Sequence, residues 1–158
     1  MPLSIRSPAF EAHGSMPRAH TCEGENVSPE LVFSGVPGGV RSLALVVDDP
    51  DAPDPARPVR TFVHWVLYDI PPGAAGLPCA AGAGNLPEGT REGRNDRGTT
   101  GYVGPCPPIG RHRYFFKLYA LDAAVGARGA ITKAELLAAM EGHVVAEAEL
   151  VGTYAKQG

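Results

Sequence analysis

The chain has 158 residues, a formal net charge of −3 and a pI near 5.9. That length suits one self-sufficient domain spanning 1–158, and the mild negative balance gives no electrostatic case for nucleic acid or a charged membrane, so any anion site must be local. With 20 glycines and 16 prolines the chain is rich in turns, which argues against a helical bundle and for a mainly β domain.

Residues 1–30 read as turn-rich, with Cys22-Glu23-Gly24-Glu25-Asn26-Val27-Ser28-Pro29 an irregular loop. Leu31-Val32-Phe33 is a short apolar strand ended by Gly35 and the Pro37-Gly38-Gly39 turn. Ser42 to Val47 is a continuous apolar run, the pattern of a strand covered on both faces. It leads into Asp48-Asp49-Pro50-Asp51-Ala52-Pro53, where the prolines predict a stiff, non-helical turn. Thr61 to Ile70 is aromatic and β-branched and predicts a second central strand, with His64 inside it.

Pro71 to Gly101 is a long Gly-, Pro- and Ala-rich connection in which Asn95-Asp96-Arg97-Gly98 offers a turn. Arg113 to Leu121 alternates, placing Tyr114, Phe116, Leu118 and Ala120 on one face and Phe115, Lys117 and Tyr119 on the other. Thr132-Lys133-Ala134-Glu135 is a capping box, Leu136, Leu137 and Met140 follow at helical spacing, and Gly142 can end the helix. Val144 to Tyr154 is read as a strand: Ala146 to Leu150 alternates at period two, and Gly142 separates it from the helix.

No apolar run is long enough to span a bilayer, and the first residues lack a signal-like apolar core. Cys22, Cys79 and Cys106 show no Cys-x-x-Cys spacing, which fits reduced thiols in a cytoplasmic protein better than a disulfide framework. One bridge between Cys22 and Cys106 stays open as an alternative, with Cys79 an incidental loop thiol. The chemistry concentrates in two proline-stiffened stretches, one carrying Asp49 and Asp51 ahead of His64, the other running from Gly101 to Tyr114 with His112. Imidazoles converging on a turn can hold a phosphate or sulfate through charge-assisted hydrogen bonds, helped by free backbone N–H groups near Gly104 or Gly110. Three roles for the carboxylates remain open: Asp49 can orient a histidine, Asp51 can pair with Arg113, or either can accept from a cationic head group. Asp48 is assigned an Asx turn against Pro50. Nothing supplies a thiol nucleophile at Cys106 with partner geometry, and no catalytic constellation is identified. A metal-dependent hydrolase using His64, His112 and the aspartates is the alternative reading.

Asp49-Pro50-Asp51-Ala52-Pro53, His64-Trp65-Val66, Gly104-Pro105-Cys106-Pro107-Pro108 and His112-Arg113-Tyr114 together resemble the phosphatidylethanolamine-binding protein family, in its prokaryotic, Raf-kinase-inhibitor-like branch. Thr21 to Pro29 resembles that branch's N-terminal motif, and Gly142 to Tyr154 its C-terminal segment. The resemblance implies an antiparallel β-sandwich with a small helical element near the C-terminus, and a pocket for phosphate-like anions. By motif the pocket comprises Asp49, Asp51, His64, Cys106, Pro107, His112 and Tyr114. It further implies a homodimer, a possible kinase or phosphoprotein partner, and neither a cofactor nor a tightly held metal. Eukaryotic relatives have glycine at the position of Cys106 and a longer C-terminal helix beside the pocket, so a gating role for such a helix is not expected here.

Overall fold

The computed structural model describes residues 1–82 and 84–157. Among the described residues, eight strands and one α-helix follow in order: β1 Ser4–Arg6, β2 Leu31–Ser34, β3 Ser42–Ala52, β4 Arg60–Ile70, β5 Gly76–Leu77, β6 Arg91–Glu92, β7 His112–Leu121, α1 Lys133–Met140 and β8 Val144–Tyr154. They form two antiparallel sheets, a small one in the order β1-β2-β5 and a large one in the order β6-β4-β3-β7-β8.

The expected double burial of β3 has a simple cause. Leu43, Leu45 and Val47 face the small sheet together with Trp65, Leu67, Phe116 and Leu118, and this cluster also takes in Ile5, Leu31, Phe33 and Leu77. Ala44 and Val46 face the other way, onto Leu136 and Met140 of α1. Three layers result: small sheet, large sheet, and the helix with its loop. Alternation along β7 buries Tyr114, Phe116, Leu118 and Ala120 as the sequence predicts. The capping box is present, Thr132 accepting from the Glu135 N–H and Glu135 from the Thr132 N–H, and Gly142 stands at φ 81° just past the helix. Residues 144–154 are a strand, paired along β7.

Three expectations need correction. The first thirty residues contain β1, whose three residues pair with β2 through Ile5 and Phe33. The long connection after Pro71 carries β5 and β6, two residues each. Asp48 to Ala52 is not a turn: β3 continues through it, with irregular register between Val47 and Asp48 and again between Asp49 and Ala52. Proline tolerates such places because a bulge releases it from the ladder hydrogen bond it cannot make.

Candidate functional site

At one end of the large sheet a cavity of about 320 Å³ opens between the β3–β4 connection and the loop ahead of β7. Bulges decide which side chains reach it. Val47 pairs with Trp65 but Asp48 pairs with Val63, so His64 is an extra residue on β4. The bulge breaks the two-residue alternation and sets His64 beside Tyr114, ring centroids 5.3 Å apart and edge-on. Tyr114 in turn stacks near His112, at 6.3 Å. Thus His64, Tyr114 and His112 share one cavity with Asp49, Cys106 and Pro107. Asp51 does not line it. After the second irregularity in β3 its carboxylate turns to Arg113, accepting from Nε at 3.0 Å, Nη2 at 2.9 Å and the backbone N–H at 2.9 Å. The hydrogen bond from Arg113 holds the Asp51 carboxyl below its ordinary range, against the opposing effect of burial.

The two histidines differ in what they have left to give. Nδ1 of His112 lies 2.6 Å from Asp49 Oδ2, and its Nε2 lies 3.1 Å from the Pro53 carbonyl and 2.9 Å from the Ile109 carbonyl. All three partners are acceptors, so both ring nitrogens are spent on the protein. Asp49 is equally occupied, since its Oδ1 accepts from the Asp51 N–H at 2.7 Å. In this geometry His112 and Asp49 fasten the two loops that frame the cavity. The Asx turn belongs to Asp49 and not to Asp48, whose Oδ2 takes Lys133 Nζ at 2.7 Å and Lys117 Nζ at 3.2 Å on the opposite face.

His64 donates from Nδ1 to the Val103 carbonyl at 2.6 Å, which fixes the proton on Nδ1, and among the described residues no hydrogen bond is made at Nε2. Burial pushes its pKa down, more than the Val103 hydrogen bond and the Asp49 charge push it up. The Tyr114 hydroxyl is buried and has no hydrogen-bond partner among the described residues. Burial first, then the Asp49 charge, raises its pKa, so the phenol keeps its proton as a donor. Arg60 and Arg97, which sequence reasoning missed, stand at the mouth. Arg60 lies 4.9 Å over the Phe62 ring. The missed signal was local: Arg60 is two residues from Phe62, and Arg97 sits in the turn already recognised at Asn95 to Gly98.

Three further expectations change. Cys22 and Cys106 are joined, with Cα atoms 5.4 Å apart, leaving Cys79 free and exposed. The three-thiol expectation fails because the Gly104-Pro105 stretch lies against the N-terminal loop: Cys22 N–H donates to the Pro105 carbonyl at 3.0 Å. The Gly104 N–H is not free for an anion, being bound to Asn26 Oδ1 at 2.8 Å. A metal-hydrolase reading loses its ligand set, since His112 has no ring nitrogen to offer. Among the described residues no three His, Cys, Asp or Glu side chains gather as metal ligands.

Comparison with known proteins fits this architecture. The family model for phosphatidylethanolamine-binding protein matches residues 6–155. A UPF0098 protein of Methanothermobacter thermautotrophicus is 49% identical over 153 residues, covering 96% of this chain and 98% of that protein. The crystal structure of the putative phosphatidylethanolamine-binding protein homologue CT736 from Chlamydia trachomatis superposes with a TM-score of 0.90 at 39% identity, covering 99% of both chains. E. coli YbcL, described as a new member of the mammalian PEBP family, gives a TM-score of 0.89 at 33% identity, covering 99% of this chain and 100% of the other.

Proposed function

The chain belongs to the phosphatidylethanolamine-binding protein family, and on that premise we propose that it is a binding module for a phosphate-like anion or phosphorylated head group. The observation that carries this reading is a buried Tyr114 hydroxyl that has no partner among the described residues, in one cavity with a His64 ring whose Nδ1 alone is hydrogen-bonded among them. A buried hydroxyl without a partner costs roughly 1–3 kcal/mol, and a phosphate oxygen accepting from it would recover that loss. An anion opposite Nε2 favours a second proton on His64 and converts the contact into a charge-assisted hydrogen bond. Arg60 and Arg97 add positive charge where the anion enters. The cavity volume of about 320 Å³ accommodates a head group rather than a long chain.

Titration calorimetry with inorganic phosphate and phosphoethanolamine, using ethanolamine as the control, tests the reading. Binding of both phosphates and not of ethanolamine is expected. Equal heats for ethanolamine and phosphoethanolamine would end it.

Regulation of a kinase or phosphoprotein rests on the family resemblance alone. A homodimer is supported by the exposed Val144 and Val145 on β8, the terminal strand of the large sheet; sedimentation velocity checks it. The cytoplasmic location loses its reduced-thiol support now that Cys22 and Cys106 are paired. No described helix is long and apolar enough to cross a membrane.

A further inference from the structure

The part of the cavity wall that holds His64 is fastened from behind. Val103 meets His64 twice, its N–H donating to the His64 carbonyl at 3.0 Å and its own carbonyl accepting from Nδ1 at 2.6 Å. The residues around Val103 are stitched to the N-terminal loop. The Tyr102 hydroxyl donates to the His20 carbonyl at 2.7 Å, the Gly104 N–H to Asn26 Oδ1 at 2.8 Å and the Cys22 N–H to the Pro105 carbonyl at 3.0 Å. That loop is itself held on β8, where the Tyr154 hydroxyl donates to the Glu23 carboxylate at 2.5 Å. The remaining link is covalent, the Cys22–Cys106 bridge, and Cys106 also lines the cavity. Gly104, Pro105 and Pro107 beside it are buried, yet Cys22 and Cys106 are both exposed, so a thiolate from solution can reach the sulfurs.

We propose that the Cys22–Cys106 bridge is a redox clamp on the cavity: oxidised, it fixes the wall at 102–106 and, through Val103, the His64 ring; reduced, it releases the wall and lowers affinity for a phosphate-like anion. The proposal rests on the anion-site reading and adds its regulation. The co-reactant is a dithiol, either small or carried by a protein. One of its thiolates attacks a sulfur of the bridge, the S–S bond breaks, and the other cysteine leaves as a thiolate. The second dithiol sulfur then displaces the attached cysteine. The dithiol ends as a disulfide, oxidised by two electrons, and its two protons pass to Cys22 and Cys106 as free thiols. The three hydrogen bonds across the seam remain, but each can open and close, which the bridge cannot. An apparent dissociation constant rises in inverse proportion to the fraction of molecules with the wall in place, so a wall in place about a fifth of the time weakens binding about fivefold. An oxidising compartment keeps the site tight and a reducing one relaxes it.

The test is titration calorimetry of the full chain with inorganic phosphate, before and after reduction by dithiothreitol, with circular dichroism to follow folding. Cys22→Ser combined with Cys106→Ser gives an open bridge without reductant, and Cys79→Ser, which removes the free exposed thiol, is the control. Reduction and the double variant should each weaken phosphate binding by about fivefold or more. Reoxidation should restore it, and the Cys79→Ser protein should respond as the parent does. Without phosphate, the amide resonances of Val103 and Gly104 should broaden on reduction, as the wall begins to exchange between positions in microseconds to milliseconds. Equal affinities in the two redox states overturn the clamp. So does a loss of affinity that Cys79→Ser abolishes, or a reduced protein that unfolds, which would make the bridge a requirement of the fold and not a switch. Phosphate binding to neither form counts against the anion-site reading alone. The amide resonances then decide the clamp: broadened on reduction they support it, unchanged they overturn it.

Discussion

The two sides of the cavity are built from the same residue type and do different work. On one side His112 is tied at both nitrogens, to Asp49 and to the carbonyls of Pro53 and Ile109, and has nothing left for a ligand. On the other, among the described residues, His64 is tied at Nδ1 alone and stands near Tyr114, whose hydroxyl has no partner. The difference teaches that presence in a motif does not assign a role; unspent hydrogen-bonding capacity does. A buried pair complete in itself holds the fold, and an incomplete one waits for a partner.

The largest effect should come from breaking the closed side. His112→Ala leaves the buried Asp49 carboxylate without its ring partner and should cost about 3–5 kcal/mol in urea denaturation. His64→Ala removes a single hydrogen bond, with a ring set edge-on to Tyr114 and tilted against Phe62, and should cost clearly less while abolishing phosphate binding. Equal destabilisation by the two variants would erase the distinction. Reduction of the Cys22–Cys106 bridge, which closes 84 residues of sequence, should lower stability by roughly 2–4 kcal/mol; a melting temperature indifferent to reductant would contradict it.

Tyr114→Phe sharpens the comparison from the open side. Losing an unsatisfied buried hydroxyl should leave the unliganded protein as stable or up to about 1–3 kcal/mol more stable. Phosphate affinity should fall by roughly tenfold, equivalent to about 1.4 kcal/mol. A clear loss of stability would mean the hydroxyl already has a partner.

The smallest effect is a pH dependence. Because burial depresses the His64 pKa below about 6.5, the folded protein binds this proton less readily than the unfolded chain. Stability from this group is therefore intact above the unfolded value and declines as pH falls from there towards the lower folded value. Anion binding runs the opposite way, since the anion favours protonated His64: affinity should rise as pH drops below neutrality. Chemical denaturation and phosphate titration between pH 5 and pH 8 (roughly the histidine range) should thus show opposite slopes.

Much of the fold was legible because its signals are local. The unbroken apolar run of β3, the alternation of β7 and the capping box of α1 each express one physical rule on contiguous residues. The cavity was half legible. Proline stiffening and the ordered motifs brought Asp49, His64, Cys106, Pro107, His112 and Tyr114 into one place, but not their roles. Those roles depend on bulges in β3 and β4, and a bulge is a mismatch between two strands that neither sequence reveals alone. One irregularity turns Asp51 outward to Arg113; the other sets His64 beside Tyr114. β1, β5 and β6 escaped notice because two or three residues cannot display a period.

Nitrogen-15 chemical shifts of the histidine side chains, followed while inorganic phosphate is added near neutral pH, examine the two rings in one sample. His64 Nε2 should move from the unprotonated to the protonated range as phosphate saturates, and the His112 nitrogens should hold still. A shift confined to His112, with His64 Nε2 unchanged at saturation, would contradict the assignment of the open and closed sides.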